Sequence, residues 1–188
     1  MNDIEKNQYK LDEITPEIIL KKYPVLLNYD FFSLAGGGHY GYFLDARGNA
    51  YFYHNPRKWN YFKSEEKNSE TVFWGHEKDG TISREKLIQN LNGTENRLYD
   101  LPLFDFRWEE MSEYIISSEY EIFNGGCDMG IQSHSLLIFD KESDLFKRII
   151  LSTKGDVSMK SNSWFADEML KFFHPKCATY AWNLANNF

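Results

Sequence analysis

The stretch YGYFLDARGNAYFYH, residues 40–54, constrains the fold more than any other part of the chain. Tyr40, Tyr42, Leu44, Tyr51 and Tyr53 alternate with Gly41, Phe43 and Phe52 around Asp45-Ala46-Arg47-Gly48-Asn49. Aromatic side chains fit the half-buried, pleated surface of a sheet, so each arm predicts a strand. A connection made of Asp, Gly and Asn supplies the backbone conformations of a tight reversal, and the whole reads as a β-hairpin.

A second hairpin is predicted from Ser135–Phe139 and Phe146–Ser152, joined by the turn Asp140–Asp144. Thr71–Trp74 reads as a short strand, Lys78-Asp79-Gly80 and Thr153–Asp156 as turns, and residues 54–70 as an irregular segment. Helices are marked by their ends. Thr15-Pro16-Glu17 opens one that Pro24 closes, and Ser83 caps another that runs through Asn92 to a stop at Gly93. Phe104, Trp108, Met111 and Ile115 recur at spacings of four, three and four, which predicts an amphipathic helix over 105–118. Ser161 or Ser163 caps a helix bearing Trp164, Phe165, Met169, Leu170 and Phe173, and Pro175 opens the last. Hairpins and helices that segregate in this way indicate an α+β fold: a largely antiparallel sheet built from two hairpins, with helices packed on it. At 188 residues the chain is expected to form a single domain, with a pseudo-symmetric ββα layout near 31–92 and 123–173.

The glycine run AGGGHYGYF, residues 35–43, raises the question of a phosphate loop. Such a loop stands between a strand and a helix, so that amide groups at the helix start face the anion. Here the glycines feed a strand and no Gly-Lys-Ser/Thr follows. They are expected to bend the chain at the start of the hairpin and to display His39 and Tyr40 beside the bend. The five histidines form no metal-ligand spacing, and the two cysteines, Cys127 and Cys177, are far apart, so no metal and no cofactor is expected. Cys127 with His39 or His134 would make a thiol–base pair only if the fold brought them together. Glu109 and Glu113, one helical turn apart, read as solvated charge before they read as an acid–base pair. No catalytic set emerges.

Charge is the other strong signal. The chain carries a net −7, yet residues 95–144 alone hold twelve acids against three bases, a local −9. Such a field repels nucleic acid and attracts basic partners. The amino-terminal sequence has no apolar core of a secretory signal, and no stretch is long and apolar enough to span a bilayer, so a cytoplasmic protein is expected. Trp59, Tyr61 and Phe62 stand in a polar stretch, where aromatic side chains supply contact area for a protein partner.

The segment FNGGCDMGIQSHSLLIFDKESDLFKRIILSTKGDVSMKSNSWFADEMLKFF, residues 123–173, resembles the end of SUKH-superfamily domains and similar bacterial immunity proteins. The shared elements are a glycine-bearing strand entry, a strand reading out to Phe139-Asp140, a second strand into a turn, and a closing helix introduced by serine. The resemblance implies a cytoplasmic antidote of a contact-dependent or other polymorphic toxin system, which binds its cognate toxin domain stoichiometrically and performs no chemistry. If the toxin is a nuclease, acids on the antidote take the place of phosphates in its basic groove. Glu109, Glu110, Glu113, Glu119 and Glu121, with Trp59 and Tyr61, are the expected contact residues. The alternatives are a regulatory or phage-encoded interaction module, and a small hydrolase using cysteine or a carboxylate with histidine.

Overall fold

The computed structural model describes residues 20, 25–33, 38–45, 49–63, 79–98, 119–124, 130–155, 157–173 and 175–186. They form an α+β fold around one antiparallel sheet of nine strands. The strands are β1 (Val25–Ser33), β2 (Gly38–Asp45), β3 (Asn49–His54), β4 (Asp79–Ser83), β5 (Glu95–Leu98), β6 (Tyr120–Asn124), β7 (Ile131–Asp140), β8 (Leu145–Gly155) and β9 (Val157–Ser161). Three helices accompany them: α1 (Arg84–Asn92), α2 (Trp164–Leu170) and α3 (Pro175–Asn186). Eight strands run in the order β5-β3-β2-β1-β7-β8-β9-β6, and β4 pairs with the first half of β8.

β2 pairs antiparallel with β3 and β7 with β8, and β1 joins the two pairs into one sheet by pairing with β2 on one side and β7 on the other. The first turn is closed by Asp45, whose carboxylate accepts from the Asn49 backbone N–H at 3.0 Å and the Asn49 side-chain amide at 2.6 Å. Strand register corrects one detail of the pattern. Tyr42 lies opposite Phe52 and Phe43 opposite Tyr51, so Tyr51 and Tyr53 share the face of Phe43, not that of Tyr40 and Tyr42.

Apolar residues occupy both faces of these strands because helices cover both, which an antiparallel sheet with one wet face would not require. On one face Leu27, Tyr29, Tyr42 and Phe52 pack against Phe165 and Met169 of α2 and Cys177 and Ala181 of α3. On the other, Leu26, Phe43, Leu137 and Phe146 pack against Leu87 and Leu91 of α1, with Phe62 and Leu20. The helix ends follow the sequence signals. Ser83 Oγ accepts from the Lys86 N–H, Ser163 Oγ from the Phe165 N–H, and α3 opens at Pro175. Gly93 ends α1 with φ −89°, so it stops the helix without the left-handed turn common for glycine there.

Two expected turns are strand instead. Asp79-Gly80 belongs to β4, drawn into extended form by pairing with Arg148 and Ile149, and β8 continues through Thr153 to Gly155 because Ile131–Ser133 pair with it. His39 and Tyr40 are buried, not displayed, since β2 is an inner strand of the sheet. Gly38 does bend the chain, with φ +73°, while Gly36 and Gly37 lie outside the described residues. So do the expected helix at 105–118 and the strand at 71–74, and of the helix expected from Thr15 only Leu20 is described, helical and buried.

His134 shows what the covered sheet costs. Its ring lies between Tyr29 and Phe173, at 5.3 and 4.7 Å between ring centres, with Nδ1 3.3 Å from Ser152 Oγ. Burial drives its pKa down from 6.5 to about 4. The folded state therefore binds fewer protons than the unfolded chain in this range, and stability falls as pH drops from 6.5 to 4. Urea unfolding at pH 7 and pH 4 should show His134→Gln losing less stability than the parent, by on the order of 3 kcal/mol. Equal losses would place the ring in water.

Candidate functional site

The alternation of β1 sends Leu27 and Tyr29 to one face and Asn28 and Asp30 to the other, so two polar side chains enter an apolar layer. They belong to a chain of hydrogen bonds that crosses the sheet. Arg148 of β8, buried, donates through Nε to Ser135 Oγ at 3.1 Å and through Nη2 to Ser133 Oγ at 2.8 Å. Ser135 donates to Asn28 Oδ1 at 3.4 Å, and Asn28 Nδ2 donates to the Tyr53 hydroxyl at 3.2 Å. That hydroxyl donates to Asp30 Oδ1 at 2.5 Å, and His39 Nε2 lies 2.7 Å from the same oxygen. Every donor points from the guanidinium toward the carboxylate, so each bond polarises the next in the same sense.

The local sequence makes this possible. Gly41 lies beside Tyr53, where a Cβ would stand 2.5 Å from the phenol oxygen and 2.2 Å from the Tyr29 carbonyl. Only a residue without a side chain lets the ring cross the strand to reach Asp30. Burial raises the Asp30 pKa, but the charge and hydrogen bond of His39, the charge of Arg148 and the Tyr53 hydroxyl outweigh it, and the carboxyl titrates below its usual range. Burial, then the Asp30 charge, pushes the Tyr53 phenol well up, so it stays a donor. Burial also lowers the Arg148 pKa, which Asp30 partly opposes.

A strap over residues 55–63 covers this cluster. Asn90 of α1 holds it with a reciprocal amide clamp, accepting from the Asn60 N–H at 2.9 Å and donating to the Asn60 carbonyl at 2.8 Å. Lys63 and Thr81 exchange backbone bonds at 2.7 and 2.8 Å. Trp59 lies on Tyr53, 4.4 Å between ring centres, Tyr61 stacks on His39 at 5.9 Å, and Phe62 sits 5.3 Å from the Arg148 guanidinium. The space left between strap and sheet is about 20 Å³. That is room for a water, and the hydrogen bonds of the cluster tie strands and strap together.

The expected contact residues are thereby separated. Trp59 is half-buried and committed to the core, a satellite under a loop, while Tyr61, stacked on His39, is still 38% exposed. Glu121, in β6, and Glu119, just before it, are both exposed. Glu109, Glu110, Glu113 and Cys127 lie outside the described residues. Next to Glu121, Ile122 is 73% exposed and Phe123 51% exposed. The sequence carried no signal for this pair, because an Ile-Phe dipeptide ordinarily marks a buried strand. Trp164 and Trp182 are also exposed, on α2 and α3.

Among the described residues no group of three His, Cys, Asp or Glu side chains could hold a metal ion, and no helix is long and apolar enough to cross a membrane. No protein-family model matches the chain, and no curated protein or solved structure matches it at a significant level.

Removing the carboxylate at the end of the chain of bonds takes away a charge that opposes the buried guanidinium. Asp30→Asn, which keeps the shape, should lower unfolding free energy by about 2–4 kcal/mol. Pairing it with Arg148→Met should recover part of that loss in a denaturant double-mutant cycle. Additive losses would show that the two charges are not linked.

Proposed function

We propose that this protein is a cytoplasmic immunity protein, which neutralises a cognate toxin domain by binding it one-to-one and covering its active site. The observation that carries the reading is the outer strand β6, where the exposed Glu119 and Glu121 lead into the chain's most exposed large apolar side chain among the described residues, Ile122. Acids beside uncovered apolar surface suit recognition of a basic protein: the charges steer the encounter and the apolar side chains supply contact energy. The sequence around that strand is acidic, residues 95–144 holding a net −9, and the toxin such a protein suits best is one with a basic groove, such as a nuclease. The polar cluster under the strap plays no direct part. It makes rigid the sheet that presents β6.

An antidote is encoded beside its toxin, so the product of the adjacent upstream reading frame is the partner to test. It should co-purify one-to-one with this protein, and its toxicity should disappear when the two are produced together. Reversing Glu119 and Glu121, or separately Glu109, Glu110 and Glu113, to lysine should slow association by about ten-fold or more at low salt and flatten its salt dependence. Unchanged association of either triple or double variant removes that group from the interface. Failure of the parent protein to bind that product at all rejects the proposal.

A further inference from the structure

The edge of β6 is built to receive one more strand. The Asn162 N–H donates to the Glu119 carbonyl at 2.9 Å, and Tyr120 to Asn124 lie opposite Ser161 to Val157. In an antiparallel ladder these facts make 119/162, 121/160 and 123/158 the hydrogen-bonded pairs, since bonded and non-bonded pairs alternate. Glu121 and Phe123 thus spend their backbone groups on β9, while the N–H and C=O of Ile122 point to the opposite side. Among the described residues no strand lies there, because β6 ends the path of the sheet. Natural edge strands are ordinarily blunted by lysine, proline or an inward charge. The β6 sequence YEIFN has neither lysine nor proline and is rich in residues that favour strands.

We propose that β6 docks an extended segment of the partner protein as an added antiparallel strand, with basic and apolar residues alternating along it. The proposal rests on the immunity reading and specifies how the partner is held. Side chains alternate across a strand, so the segment's residue opposite Ile122 is apolar, and the residues one and three positions further on, on the other face, are Lys or Arg directed at Glu121 and Glu119. Charge selects this occupant over a second copy of the chain. Two copies would bring together two molecules of net −7 and set their Glu121 side chains diagonally across the pair. Backbone bonds at Ile122 give affinity, and the alternating side-chain contacts give specificity.

The decisive variant is Ile122→Pro. Proline removes an N–H that β9 does not use, and edge positions tolerate it, so the fold should survive with an unchanged thermal midpoint. Ile122→Val keeps the N–H and serves as control. Binding is measured by titration calorimetry with two probes: the product of the upstream reading frame, and a synthetic eight-residue peptide alternating Lys and Val. Ile122→Pro should weaken binding of both probes by about ten-fold or more, the equivalent of one lost backbone bond with its steric penalty, while Ile122→Val binds as the parent does. Equal binding of the upstream product by all three proteins overturns the added strand and leaves the immunity reading standing. If the parent does not bind the upstream product, the immunity reading fails. The peptide then decides the edge by itself: a loss confined to Ile122→Pro sustains strand addition to a basic segment, and no binding or equal binding overturns it. Dimerisation of the parent in sedimentation, abolished by Ile122→Pro, would assign the edge to a second copy and also overturn the proposal.

Discussion

The bonds from Arg148 through Ser135, Asn28 and Tyr53 to Asp30 hold together the part of the sheet on which everything else is mounted. They pass from β8 to β7 to β1 to β3, and His39 adds β2 at the carboxylate end. Five neighbouring strands are thus tied by side chains as well as by their backbone ladders. A buried ionic network of this kind is poor at adding net stability compared with apolar packing. Its effect here is on register. A slip of one residue in β1 would turn Asn28 and Asp30 into the layer of Phe165 and Met169 and leave Arg148 facing apolar side chains. Each polar group is satisfied in one alignment of the strands and stranded in the next.

That requirement explains the strap. Charged groups in a wet face would be screened and weakly coupled. Trp59, Tyr61 and Phe62 shield the cluster from bulk solvent, and the Asn60–Asn90 clamp fixes them to α1. The aromatic residues of this segment, which in sequence look equally suited to a partner, divide by position. Trp59 and Phe62 belong to the core, and Tyr61, although stacked on His39, keeps over a third of its surface in water.

How much of this is legible in the sequence varies with the range of the interaction. The β2–β3 hairpin, the caps at Ser83 and Ser163 and the start at Pro175 are set by residues close in the chain, and they read directly. β1 does not, because VLLNYDFFS places Asn and Asp among apolar residues and makes sense only once Arg148, more than a hundred positions away, is beside it. β4 was hidden by its Asp-Gly start, a turn signal that pairing with β8 overrides. The acidic character of the candidate surface is visible as a −9 block, whereas the backbone edge at Ile122 depends on where β6 falls in the sheet order.

The structure carries one asymmetry: strands β3, β2, β1, β7 and β8 are locked by side chains on both faces, and β6 has, among the described residues, one unspent backbone edge. Residue-resolved amide hydrogen exchange of the free protein tests it most directly. The amides of Leu27, Tyr29, Tyr42 and Leu136 should exchange only with global unfolding. Within β6 the pattern should alternate, with Glu121 and Phe123 protected by β9 and Ile122 exchanging fast. Protection of Ile122 equal to that of its two neighbours would mean that the edge is already occupied in the free protein, by this chain or a second copy, and would contradict a free edge.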